Sequence, residues 1–193
     1  AIILWQNTKV TERVMAKMVN CRVFVRNGVG YDTVDIDAAA RLGISVCNVP
    51  DYGTEEVADH AIALAMAQVR QLFPLNQEAK KLGWKLHIKD KLRRLSTLTF
   101  GIVGLGRIGT AGALRAKALG FRVMFHDPYL PPGAHKAVGV ERADSLPELL
   151  KQADVLSLHT PLTNETKYLI AEKELAMMKP TAYVVNTSRG AVI

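Results

Sequence analysis

Six residues in the second half of the chain have the types and spacing to cradle phosphate: Gly104-Leu105-Gly106-Arg107-Ile108-Gly109. They follow an apolar run, Thr99–Val103, that reads as a buried strand, and they open a helical stretch over 107–119 that ends at Gly120. In that context each glycine has a physical task. The first permits a tight turn, the second leaves no side chain to block a pyrophosphate, and the third lets helix and strand pack closely. Free N–H groups and the dipole at the helix start attract the phosphates. The next strand, over 121–125, runs into His126-Asp127, and Asp127 lies 18 residues past Gly109, close to the roughly 20 at which a ribose-binding acid is expected. A carboxylate there accepts both ribose hydroxyls and repels a 2′-phosphate, so the cofactor expected is NAD rather than NADP. The plain alternative for Asp127-Pro128 is a surface turn.

The elements that must position these residues alternate throughout. In the first part, strands are expected over 2–5, 22–25 and 44–48, with helices over 11–19 and 35–42. Asp35 is placed as an N-cap and Gly43 as a left-handed C-cap residue. A long helix is expected from Thr54 to about Leu82, its face marked by Val57, Ala61, Leu64, Ala65 and Gln68, with Pro74 kinking or interrupting it. A basic stretch up to Arg94 reads as a linker. The second part continues with a capping box at Ser145-Leu146-Pro147-Glu148, a strand over 155–158, a helix over 171–178 stopped by Lys179-Pro180, and a strand over 182–185. This pattern predicts an α/β fold with a doubly wound, Rossmann-type parallel sheet. Ligands of such sheets lie beyond the carboxyl ends of the strands, so His159-Thr160-Pro161 and Asn186-Thr187-Ser188-Arg189-Gly190 are expected to border the same crevice as the glycines.

Composition excludes several function classes. With 49% hydrophobic and 22% charged residues, the 193-residue chain is ordinary globular material. The net charge of +7 is partly local, since Lys80, Lys81, Lys85, Lys89, Lys91, Arg93 and Arg94 share one short stretch. Trp84 is the only aromatic there, so direct nucleic-acid binding is not expected. Cys21 and Cys47 form neither a metal-ligand spacing nor a disulfide framework, and Cys47 is expected as a buried thiol in a reducing compartment. No metal site and no membrane span are expected. The opening Ala1-Ile2-Ile3-Leu4-Trp5 reads like the middle of a strand, so the chain is expected to be truncated or processed.

Taken in order, residues 26–32 (Arg-Asn-Gly-Val-Gly-Tyr-Asp), Asn48-Val49-Pro50, Val57-Ala58-Asp59-His60, the glycine run, His126-Asp127-Pro128-Tyr129, His159-Thr160-Pro161-Leu162 and 186–190 (Asn-Thr-Ser-Arg-Gly) resemble the D-isomer-specific 2-hydroxyacid dehydrogenases over nearly the whole chain. Segments 114–129 and 145–159 look most like the branch containing the C-terminal binding protein corepressors. The resemblance implies a partial, flavodoxin-like substrate (catalytic) lobe with its linking helix over 1–95 and an NAD-binding Rossmann domain over 96–193. It also implies hydride transfer between NAD and C2 of a small 2-hydroxy or 2-oxo acid. Arg189 corresponds to the arginine that binds the substrate carboxylate and carbonyl, as a guanidinium with two parallel donors can. Val29 and Gly30 correspond to the loop whose N–H groups hold the substrate carboxylate, and Arg26 to an arginine near that loop, with a strand-end salt bridge as its alternative. Val57 corresponds to a residue flanking the nicotinamide, and Thr160, Pro161, Thr166, Thr187 and Ser188 to cofactor-side positions, beside Gly104, Leu105, Gly106, Arg107, Ile108, Gly109 and Asp127. In the family a histidine–carboxylate pair moves the hydroxyl proton. Both its members lie downstream of the arginine, so no counterpart is expected before Ile193 and the chain alone is expected to turn over poorly. His159 fits the cofactor-side motif better than the role of base, and His60, His87, His126 and His135 are expected to be structural or on the surface. The resemblance further implies a homodimer through the helix after Thr54 and a cytoplasmic or nuclear location.

Two other readings compete. An NAD(H)-sensing corepressor or scaffold would keep the fold and add protein partners. An S-adenosylhomocysteine hydrolase relative would share the Rossmann sheet, but the loop at 26–32 and the turn at 186–190 argue against it.

Overall fold

The computed structural model describes residues 1–5, 7–81 and 92–193. The chain forms two compact units, Ala1–Thr54 and Glu55–Ile193. The expected linker with Lys85, Lys89, Lys91 and Trp84, and with it His87, lies outside the described residues.

The first unit runs β1 (Ile2–Leu4), α1 (Glu12–Met15), β2 (Val23–Arg26), α2 (Ile36–Arg41) and β3 (Ser45–Asn48). The three strands pair in parallel in the order β1-β2-β3. Leu4, Met15, Phe24, Val34, Ala38, Ala39 and Ile44 form its core. Asp35 caps α2 as expected, its carboxylate accepting from the Ala38 N–H at 2.9 Å, and Gly43 has the left-handed φ of +67°. The helix expected over 11–19 shrinks to one turn, because only Met15 is fully buried while Val19 stands in solvent. Cys47 is exposed rather than buried. It alternates with half-buried Val46 on β3, and the period of two turns it to the outer face.

The second unit begins with α3 (Thr54–Val69) and α4 (Leu72–Lys80). The expected single helix does break, but at Gln71, whose φ is +54°, and not at Pro74 itself. A proline at 74 cannot donate to the carbonyl of Arg70 and its ring would clash there. Breaking the chain at Gln71 places Pro74 in the first turn of a new helix, where no such bond is needed. Then follow β4 (Thr99–Val103), α5 (Arg107–Ala118), β5 (Arg122–His126), α6 (Ala134–Val138), β6 (Glu141–Arg142), α7 (Leu146–Gln152), β7 (Val155–Leu158), α8 (Glu172–Ala176) and β8 (Tyr183–Asn186). All five strands are parallel in the order β6-β5-β4-β7-β8, the Rossmann order with its switch between β4 and β7.

Side-chain alternation divides this unit into two cores. Phe100, Ile102, Val123, Phe125 and Val155 join Ala113 and Ala116 of α5 and Ala61, Ala65 and Val69 of α3 on one face. Val103, Met124, Leu156 and Leu158 join Leu149 and Leu150 of α7 on the other. The helices therefore cover both faces, as a doubly wound sheet requires. The same packing draws α3 into the second unit, so the compact units divide after Thr54, whereas the sequence reading places its boundary at 95. An ion pair between Asp59 and Arg115 ties α3 to α5. The capping box at Ser145 is half formed. Ser145 Oγ accepts from the Glu148 N–H at 3.3 Å, but the Glu148 carboxylate reaches the Asp144 N–H rather than that of Ser145.

The amino ends of three strands meet at Asp154, whose side chain is 3% exposed. Its carboxylate accepts from the Thr99 N–H at 2.9 Å and pairs with Lys179 at 3.1 Å and Arg93 at 2.8 Å. Its backbone N–H donates to Thr99 O, and its carbonyl accepts from the Tyr183 N–H. Burial pushes the carboxyl up, but the Thr99 N–H, Lys179 and Arg93 outweigh it and hold the group below its ordinary value. Asp154→Ala leaves the Thr99 N–H buried without this acceptor and is expected to cost about 2–3 kcal/mol, read as a lowered urea midpoint with an unchanged slope.

Candidate functional site

Three strand ends converge on the glycine run. The Gly104 N–H donates to His126 O at 3.0 Å, and the His159 N–H donates to Val103 O at 2.9 Å. Asp127 Oδ2 accepts from the Leu105 N–H at 2.9 Å, while Oδ1 accepts from the Tyr129 N–H at 2.9 Å. The expected ribose acid is thus built into the loop that begins α5.

The glycines have unequal demands. Gly104 has φ +88°, and a β-carbon there would press on His159 O at 3.0 Å and Thr160 Cγ2 at 3.2 Å. A β-carbon on Gly109 would run into the carbonyl oxygen of Gly104. At Gly106 an added β-carbon would meet no atom within 4 Å. The first and third glycines are therefore required by the protein's own packing, and the second faces open space in front of the helix terminus. Leu105 contributes only its backbone to this face, since its side chain is buried in the core. Arg107 is exposed and Ile108 half-buried on the first turn of α5.

The carboxyl ends of β7 and β8 complete this rim. Thr160 and Thr187 each have a buried hydroxyl with no hydrogen-bond partner among the described residues. Asn186 shapes the last turn: its Oδ1 accepts from Ser188 N–H (3.0 Å) and Oγ (2.8 Å), and its Nδ2 donates to Arg189 O (2.9 Å). Arg189 Nη1 donates to Ser188 O at 3.0 Å. Thr187 and Ser188 also line an open cleft of about 580 Å³ with Asn186 and, from α3, Glu56, Val57, His60 and Leu64. Val57, Thr187 and Ser188, far apart in sequence, are thereby brought together. Thr166 is committed to its own loop, donating to Pro161 O at 2.6 Å and accepting from the Thr163 N–H at 2.8 Å. Pro161 is exposed beside it. Open space at Gly106, a carboxylate at Asp127 and two unpartnered buried hydroxyls fit a dinucleotide lying along the carboxyl ends of the strands.

In the first unit the expected substrate loop follows β2. Arg26 is 6% exposed and makes no strand-end salt bridge among the described residues. Its guanidinium folds back to donate to Asn27 O, and a β-carbon on Gly28, at φ +151°, would collide with it. Asn48 Nδ2 donates to Val29 O at 2.8 Å, and the Val49 N–H donates to Gly28 O, fixing the turn around Val29 and half-buried Gly30.

Sequence reading misses Arg142. Its Nη1 donates to Leu130 O at 3.1 Å and its Nη2 to Asp127 O at 3.2 Å, so it holds the turn that carries Asp127. Its only local signal is a charge on a two-residue strand, too short for periodicity to register.

His159 is not placed to act as a base. Its Nε2 lies 2.9 Å from Ser157 Oγ and its ring faces Gly112 of α5. Burial lowers its pKa from 6.5 to about 4. The folded protein therefore keeps it neutral, whereas the unfolded chain takes up its proton as pH falls through 6.5. This contribution to stability is full above pH 6.5 and drains away toward pH 4, by roughly 3 kcal/mol. Urea unfolding at both pH values is expected to show that loss in the wild type and little of it in His159→Asn. Equal losses in the two proteins would assign the effect to another group.

Residues 62–193 match the sequence family described as the NAD-binding domain of D-isomer specific 2-hydroxyacid dehydrogenases. Over 192 residues the chain is 38% identical to a D-3-phosphoglycerate dehydrogenase of Methanocaldococcus jannaschii, covering 100% of this chain and 36% of that protein. Over 202 residues it is 37% identical to a glyoxylate reductase of Thermococcus litoralis, covering 100% of this chain and 60% of that one. Among solved structures, a D-lactate dehydrogenase from Aquifex aeolicus complexed with NAD and lactic acid superposes with a TM-score of 0.93 at 35% identity, over 100% of this chain and 57% of that one. An acyclic imino acid reductase complexed with NADPH superposes with a TM-score of 0.90 at 28% identity, over 100% and 61%. The chain thus spans between 36% and 60% of the length of these curated relatives. The finer likeness to the corepressor branch is not carried by these matches, which are to dehydrogenases and reductases. The chain belongs to the D-isomer specific 2-hydroxyacid dehydrogenase family and carries that family's NAD-binding domain.

Proposed function

We propose that this protein is an NAD-dependent oxidoreductase acting on the CH–OH group of a D-2-hydroxy acid, and reducing the 2-oxo acid in reverse. One observation carries the reading: the carboxyl ends of four neighbouring strands bring together a glycine cradle, the Asp127 carboxylate, two threonine hydroxyls without partners among the described residues, and Arg189. The activities named for the relatives, on phosphoglycerate, glyoxylate and lactate, support a small oxyacid as substrate.

In this reading the N–H groups of Gly106–Gly109 and the α5 dipole hold the pyrophosphate, and Asp127 receives the adenosine ribose. Thr160 and Thr187 supply donors near the cofactor, Ser188 closes the turn beside them, and Val57 walls the nicotinamide side. The bound nicotinamide supplies or accepts the hydride. Arg189 binds the substrate carboxylate and polarises its carbonyl through parallel donors. The first unit belongs to the substrate lobe, where the Val29 and Gly30 N–H groups take the carboxylate and Arg26 supports their loop. Proton transfer to the substrate oxygen is assigned to none of the described residues, His159 being buried and neutral. The metabolic relatives favour a cytoplasmic over a nuclear setting, and the corepressor alternative is not carried forward. The protein pairs with a second copy through the helical segment after Thr54, where exposed Leu72 and Phe73 of α4 offer apolar area.

Calorimetric titration tests the cofactor site. NADH is expected to bind more tightly than NADPH. Asp127→Asn, which removes the charge but keeps an acceptor for Leu105, is expected to erode that preference by about tenfold. Gly106→Val projects into open space, so the protein should fold normally but lose NADH. Gly109→Ala is expected to destabilise the unit itself. Unaltered NADH binding by Gly106→Val would refute the cradle.

A further inference from the structure

We infer that Glu165 is a second acidic determinant of the choice between NAD(H) and NADP(H), held at the adenosine-ribose end of the crevice by the hydroxyl of Tyr129. The inference rests on the cofactor reading above. Tyr129 is anchored at both ends. Its N–H donates to Asp127 Oδ1 at 2.9 Å, so its backbone is tied to the ribose-side carboxylate, and its hydroxyl donates to Glu165. The ring between them is 75% exposed and has no packing of its own to explain its direction.

Glu165 lies in the loop after β7, and Tyr129 in the loop after β5. These strands flank β4 on either side, so the link joins the two loops on either side of the strand that ends in the glycine run. The Glu165 loop is itself fixed, by the Thr166 hydroxyl on Pro161 O and the Thr163 N–H on Thr166. Two carboxylates are thereby held within one tyrosine's length of each other, at the end of the cradle where a 2′-phosphate would sit. Two cations beside these loops have other commitments. Arg142 donates to two main-chain carbonyls and stacks on Phe125, and Lys167 lies over the ring of Tyr168. A phosphate carrying close to two charges would be repelled by both acids, whereas a 2′-hydroxyl can donate to either. The hydrogen bond and charge of Glu165 also push the Tyr129 phenol above its ordinary value, so the tether stays protonated at neutral pH.

Titrating NADH and NADPH into the wild-type chain, Glu165→Gln, Tyr129→Phe and Asp127→Asn tests the inference. Glu165→Gln is expected to tighten NADPH by about tenfold while moving NADH by less than about twofold. Tyr129→Phe keeps the charge but frees it, and is expected to tighten NADPH by a smaller factor. The Glu165 effect should shrink in high salt, because the group is exposed. If Asp127→Asn shifts the NADPH/NADH ratio and Glu165→Gln does not, Glu165 has no part in selection and the cofactor site stands. If Glu165→Gln tightens both dinucleotides equally, the effect is general charge and the 2′-specific role is overturned. If the folded wild type binds neither, the cofactor reading fails and this inference with it.

Discussion

The second unit is organised around one close approach, that of Gly109 in α5 to the carbonyl of Gly104 at the end of β4. No β-carbon fits between them. Because α5 can come so near, its amino end starts directly above the sheet, and its unsatisfied N–H groups face out past Gly106 into open space. The same approach brings Ala113 and Ala116 down onto Phe100 and Phe125. A larger residue at 109 would lift the helix, open that core and turn the helix terminus away from the strand ends. Packing and anion binding are therefore consequences of the same contact.

The two ends of the sheet are built to opposite specifications. At the amino ends, Asp154 collects a backbone N–H, a lysine and an arginine, and its own backbone joins β4 to β8. One Asp154 oxygen has no hydrogen bond of good geometry, but Arg93 sits 2.8 Å from it, so its charge is met. At the carboxyl ends, polar groups are held in place and left incomplete. Asp127 receives two main-chain donors and stays half-exposed, and Thr160 and Thr187 have no partner among the described residues. Stability resides at one pole, and the proposed ligand site lies at the other, where ligands of such sheets lie.

The parts legible in the sequence are those whose signals are local. The glycine spacing, the acid at 127, the Asp35 cap and the apolar strands over 99–103 and 155–158 each depend on a few adjacent residues, and each lies where the sequence puts it. Elements α6 and β6 have five and two residues, too few for a helical or strand period to emerge. The break at Gln71 is set by Pro74 acting on a carbonyl four residues earlier, so the proline shows that the helix stops but not where. Cys47 is exposed where a buried thiol is expected, because an apolar run reads as buried whichever face each residue takes. The partners of Arg142 and Glu165 are far off in sequence, and only the strand order β6-β5-β4-β7-β8 makes neighbours of them.

The incomplete carboxyl end also bears on energetics. Any ligand that binds the folded unit and not the unfolded chain adds stability in proportion to the logarithm of its concentration over its dissociation constant. The neutral, buried His159 sharpens this arrangement. It backs the same strand end with a side chain that avoids charge, so no imidazolium behind the glycine run adds to the field of the helix dipole there. A charged histidine at that point would add positive charge behind the glycine run and favour extra negative charge in front of it.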